Sequence, residues 1–260
     1  MHLSGFDLFA WAAIFLGQFL ILFVLFVRRR AKSFPFFTAL IAEETIATAI
    51  KYLVFLNFSF PTYQDCYWTL GIVDEVLQLF VWYEIAVHVF CPTGVWARDV
   101  HRTFLGLVSG SVIVAFLLTW LAHPDAARPI QVFILRSNFF SAALMSELFV
   151  GTVALSSTVG LPWKTHAARI AQGLGVYSIV CVGLGIINNF VGLNSGTYLF
   201  TQLSHVRSVA WMVCEGYWIV MLWADAPAPR ELPEAMRLQI YTLQRHVENE
   251  LMRIQAWRRN

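Results

Sequence analysis

The residues of this chain best suited to chemistry are carboxylates set in apolar runs: Glu43, Glu44, Asp74, Glu75, Glu84, Glu147 and Glu215. Lys51, Arg136, Arg207, His88 and His205 stand in the same runs. An ionised side chain at the centre of a membrane helix costs about 2.5–3.5 kcal/mol on insertion scales. Each of these groups therefore needs an opposite charge, a proton or a ligand. Glu84 and His88 are four apart and share a helix face, a spacing that can offer two ligands to a metal. Glu44, Thr48 and Lys51 form one stripe on their segment. No nucleophile–base set and no regularly spaced His/Cys cluster is found, so no catalytic residue, metal or cofactor is assigned.

Helices must position these groups. A bilayer-crossing helix needs about 20 mostly apolar residues. Seven segments meet that need: 6–27, 35–56, 68–90, 104–122, 133–158, 170–191 and 201–224. The chain is 58% hydrophobic and 13% charged, with mean hydropathy +0.63, whereas soluble domains are about 25% charged. The excess apolar surface predicts a lipid bilayer as the main partner, and a net charge of +2 gives no case for nucleic acid. Cys66, Cys91, Cys181 and Cys214 show no CxxC pair, so neither a disulfide framework nor structural zinc is expected. The first apolar run is long and lacks a small-residue cleavage site, which reads as a retained helix.

Lys and Arg set the orientation. Arg28, Arg29, Arg30 and Lys32 follow the first segment, Arg98 and Arg102 the third, and Lys164 and Arg169 the fifth. The other face has only Arg128 in its loops. The expectation is an all-α, seven-helix transmembrane bundle over residues 1–225, N-terminus outside, C-terminus cytoplasmic, in a bacterial inner membrane. Residues 226–260 turn polar. Pro233 starts a pattern of Met236, Ile240, Leu243, Val247, Ile254 and Trp257, which reads as an amphipathic cytoplasmic helix. It suits a membrane surface, a second copy or a partner subunit, with contacts through residues 233–258.

Depth along the segments, at about 1.5 Å per residue, sorts the buried charges into two layers. Lys51, Asp74, Glu75 and Arg207 fall about 10 Å from the outer face, with Arg136, Asn188 and Asn189 shallower. Lys51 is expected to pair with Asp74 or Glu75, and Arg207 with the other. This outer layer is either a structural network or the floor of a pocket for a small polar ligand. Glu43, Glu44, Glu84, Glu147 and Glu215 fall about 20 Å in, with His88 beside Glu84 and no Lys or Arg at that depth. Such carboxylates cannot all stay ionised in low dielectric. Some carry protons, or a cation neutralises them. On the protonated reading, Glu84→Gln and Glu215→Gln should both fold, because an amide keeps a donor. Gly173, Gly175, Gly183 and Gly185, and Gly106 with Gly110, read as helix-packing sites.

The run Arg28-Arg-Arg-Ala-Lys-Ser-Phe-Pro-Phe-Phe37, and Gly160-Leu-Pro-Trp-Lys-Thr-His166 leading into Gly173-Leu-Gly175, resemble a group of uncharacterised seven-helix bacterial membrane proteins. That resemblance implies the topology and an inner-membrane location; it implies no activity and no functional residue. No retinal is expected, since the last segment lacks the lysine a Schiff base requires. The functional expectation is a small transporter or channel-like protein using protons or another cation. The alternative is a seven-helix sensor or accessory subunit that binds a partner through its tail.

Overall fold

The computed structural model describes residues 5–90, 98–122, 129–159, 165–191 and 196–225. The tail from 226 onward lies outside them, and with it the amphipathic helix expected there. The described residues form seven α-helices and no strand: α1 (Gly5–Val27), α2 (Pro35–Asn57), α3 (Phe60–Phe90), α4 (Arg98–Leu121), α5 (Pro129–Val159), α6 (His166–Val191) and α7 (Gly196–Trp223). Two stretches, Gly5–Val27 and His166–Asn188, are long and apolar enough to cross a membrane by length and composition, and Leu105–Leu121 is a shorter apolar one. Acidic and basic residues stand well inside α2, α3, α5 and α7, whereas those of α4 and α6 all fall within the first few residues of their helices.

Helix α1 shows how this chain distributes polarity. Phe9, Leu16, Phe19, Phe23 and Phe26 are each more than half exposed, at three-, four- and seven-residue spacing. The opposite face, with Ala10, Gly17, Gln18, Ile21, Val24 and Leu25, is buried. The hidden side thus holds a polar amide while the outer side is wholly apolar. The same outward apolar face recurs on α4 (Ile113, Phe116, Leu117, Trp120) and α7 (Val206, Val213, Val220). Contiguous apolar exposure on this scale marks a membrane or a partner surface.

Packing follows chain order along α1, α2 and α3 and along α4, α5, α6 and α7, while α1 also packs on α7. Contacts of α3 with α6 close a ring of α1, α2, α3, α6 and α7. Helix α5 lies against α6 and α3, and α4 packs on α5 at the periphery. Trp82, Trp218, Phe37, Leu40, Ile41 and Ile85 fill the centre. The Trp218 ring meets Phe37 edge-on at 5.4 Å and Trp211 at 5.6 Å. Gly173 lets Trp218 lie against α6, and Gly175 does the same for Phe149, since a Cβ at either position would collide with those rings. Gly106, Gly110 and Gly183 instead face open space, so the packing role expected of them is not realised within the described residues.

The turn after α1 is built by backbone geometry. Arg30 N–H donates to Leu25 O at 2.8 Å and Arg29 N–H to Phe26 O at 3.0 Å, the bonding of a Schellman cap. Arg29 occupies its left-handed position with φ 55°, where glycine is the usual residue. Pro35 then opens α2, needing no N–H donor of its own there.

Candidate functional site

Helices α2 and α3 are neighbours, and Glu43, Glu44, Asp74 and Glu84 lie along their contact. At its N-terminal end, α2 has no side-chain cap: Phe34 at its N-cap offers no acceptor. The first N–H groups of any helix lack intrahelical partners and carry a partial positive charge. Glu84 of α3 supplies what is missing. Its Oε1 accepts from Phe36 N–H at 3.1 Å and its Oε2 from Phe37 N–H at 3.0 Å. The residue is buried, at 5% exposure. Both oxygens are thus committed as acceptors, which an amide cannot reproduce, so Glu84→Gln is no longer expected to be neutral. His88 does not share a ligand with Glu84. Its Nδ1 lies 2.9 Å from the Glu84 backbone carbonyl, and its ring packs on Phe34 at 4.8 Å.

Higher on the same interface the situation reverses. Glu43 and Glu44 of α2 face Asp74 of α3, with Glu75 next to it and Lys51 acting on Glu43, Glu44 and Asp74 together. Asp74 Oδ2 accepts from Gln78 Nε2 at 2.8 Å, one turn along α3. Asp74 Oδ1 and both Glu43 oxygens are buried without a partner. The two depth layers therefore do not exist on this interface. Helix α3 begins at Phe60 rather than 68, an addition of about 12 Å at 1.5 Å per residue. Depth counted from 68 placed Asp74 too shallow, and it stands level with Glu44. Glu44 and Asp74, assigned to different layers, are neighbours.

The expected ion pairs are also replaced. Lys51 Nζ lies over the Tyr67 ring, 5.4 Å from its centroid. Arg207 Nε donates to Tyr177 Oη at 3.0 Å. Among the described residues, the carboxylates in ion pairs are Asp7, with His205 at 3.1 Å, and Asp225, with Arg28 and Arg30 at 3.7 and 3.5 Å. Arg136 donates to the Ala122 carbonyl near the end of α4 at 3.3 Å. Asn188 is half-buried, and the Asn189 side chain lies outside the described set.

The other glutamates of the expected inner layer separate as well. Glu215 is 2% exposed and presses on α1 at Gly17, where a Cβ would meet its carboxylate. Gln18, fully buried beside Gly17, accepts from Thr48 Oγ1 at 3.3 Å. Glu147 lies between α4 and α5. Three different interfaces thus hold Glu84, Glu215 and Glu147. Sequence reasoning did not single out Tyr67, the platform for Lys51, or Gly17, the recess for Glu215. Gln78 was legible, since it stands four residues after Asp74.

At the C-terminal end of α7 a second polar group forms. Arg30 donates to the Ala224 carbonyl at 3.0 Å and stands 3.1 Å from His166 Nδ1, Arg169 donates to the Met221 carbonyl at 2.8 Å, and Arg28 covers the Trp223 ring at 4.8 Å. Cations on the last carbonyls of a helix are favourably placed against its dipole. Burial, then the Arg28 charge, lowers the Arg30 pKa from its usual value, and Asp225 acts against both.

Among the described residues, no three His, Cys, Asp or Glu side chains converge closely enough to hold a metal ion. Comparison of the chain with protein-family models, curated proteins and solved structures finds no match.

Proposed function

We propose that this chain is a seven-span protein of a bacterial inner membrane, N-terminus outside and C-terminus cytoplasmic, that takes up and releases protons at Glu43, Glu44 and Asp74 as a small cation-coupled transporter. One observation carries the reading: these half-buried carboxyls face one another, with three buried oxygens of Glu43 and Asp74 unpartnered and Lys51 as the nearby cation. A proton placed between Glu44 and Asp74 gives each carboxyl a hydrogen bond and removes a buried charge. A proton suits the site better than Ca²⁺ or Mg²⁺, which take about six or more oxygens. Lys51 on its aromatic platform, and Arg207 within electrostatic reach of Asp74, moderate the cluster without neutralising it.

Infrared spectroscopy of the protein in lipid nanodiscs tests this directly. A protonated-carboxyl band is expected near neutral pH, diminished in Asp74→Asn and in Glu44→Gln, and proteoliposomes should lose proton flux in the same variants. Bands unchanged in both variants would sink the proposal.

A second reading has its own support. Arg28, Arg30 and Arg169 grip the end of α7 where residues 226–260 leave. A sensor or accessory subunit would use that grip to relay helix movement to a partner on the tail. Its signature is a partner subunit or a second copy that is lost when residues 233–258 are removed, with no proton flux in either form.

A further inference from the structure

We propose that the groove between α4, α5 and α6 binds a hydrophobic molecule carrying a single positive charge. The groove has a volume of about 670 Å³, within the range of small-molecule sites. Its shape comes from missing side chains. Gly106 and Gly110 of α4 present bare backbone to open space, and Ser111 and Ser146 add only hydroxymethyl groups. The remaining walls are aliphatic apart from one group, Glu147. Its Oε1 is buried and has no hydrogen-bond partner. Among the described residues, no basic side chain lines the groove.

The occupant's chemistry follows from that lining. A sugar or another polyhydroxylated solute would leave most of its polar groups against aliphatic walls, unpaired. An acyl chain alone would satisfy the walls and leave the carboxylate as it is. A molecule with apolar bulk and one cationic centre satisfies both. Helix α4 packs against α5, with its opposite side lined by exposed apolar residues, so such a molecule can enter from the lipid. This inference is independent of the α2–α3 cluster, which lies on other helices, and either can fail alone.

Tetraphenylphosphonium, a hydrophobic monocation without hydrogen-bond donors, is the probe, and the full chain in phosphatidylcholine nanodiscs is the sample. Saturable binding above the linear uptake of empty nanodiscs is expected. Glu147→Gln should weaken it on the order of thirtyfold or more, as when one partner of a desolvated charge pair is removed. Asp65→Asn, on the exposed start of α3, should not change it. Gly110→Leu fills the groove from open space and should reduce binding with an unchanged melting temperature, which covers the case of a Glu147 variant that does not fold. Neutral triphenylphosphine oxide should bind far more weakly. The proposal is overturned by a wild type without saturable binding, by equal binding of the neutral analogue, or by unchanged binding in both groove variants. It is also overturned by a native dimer that excludes the probe and dissociates in Gly110→Leu, which would make the groove a contact between copies.

Discussion

Two carboxylates on one face-to-face helix pair lead opposite lives. Glu84 and Asp74 both lie on α3 and both look toward α2. Glu84 meets the free N–H groups at the start of α2 and is satisfied on both oxygens. Asp74 meets two more carboxylates in the middle of α2 and keeps one oxygen without a partner. The difference is what the opposite helix presents. A helix N-terminus is positive by construction, whereas the middle of a helix has its N–H groups already bonded and offers only side chains. A buried acid opposite a helix start is therefore a structural cap, and one opposite a helix middle is free to exchange a proton.

The sharpest break of this comparison is Glu84→Ala. It leaves the Phe36 and Phe37 N–H groups buried and unpaired and is expected to cost about 2–5 kcal/mol. The thermal unfolding midpoint in mild detergent reads that loss, and Glu84→Gln should recover only part of it. An undiminished midpoint in Glu84→Ala would show that the cap is not structural.

Lys51→Glu comes next. It adds a negative charge beside Glu43, Glu44 and Asp74 and is expected to destabilise by about 1–3 kcal/mol at neutral pH. The loss should shrink as the pH falls and the carboxylates take up protons, because the repulsion needs their charge. A deficit independent of pH would mean that the lost Tyr67 contact, not the charge, was responsible.

Glu43→Leu has the opposite sign. Both Glu43 oxygens are buried and unpaired, so replacing the side chain with an apolar one is expected to raise stability by about 1 kcal/mol. Higher stability combined with lost proton flux would mark a site kept for function at the expense of the fold. The smallest effect is expected from Tyr67→Leu. It removes the platform under Lys51 and should cost about 0.5–1 kcal/mol, measurable as a shift in urea or thermal midpoint. A larger loss would make the Lys51–Tyr67 contact a main support of the cluster.

The sequence by itself determined the helices and the list of residues that burial makes expensive. Runs of about 20 apolar residues admit little besides a helix, and the type of a side chain fixes its desolvation cost before any fold is known. Even local pairs at four-residue spacing, such as Asp74 with Gln78, were readable, because helix geometry alone brings them together. Tertiary structure decided the partners. Whether Glu44 meets Asp74 depends on where α3 starts, and the mixed polar and aromatic stretch from Phe60 to Tyr67, outside the densest hydrophobic run, extends the helix by a distance that hydropathy does not show. Whether Glu84 faces a helix start, Glu215 a glycine or Glu147 a groove depends on helix order and rotation. Those are set by the fit of Trp218 against Gly173 and of Phe37 and Trp82 against the Trp218 and Phe149 rings, a matter of shape between segments far apart in the chain.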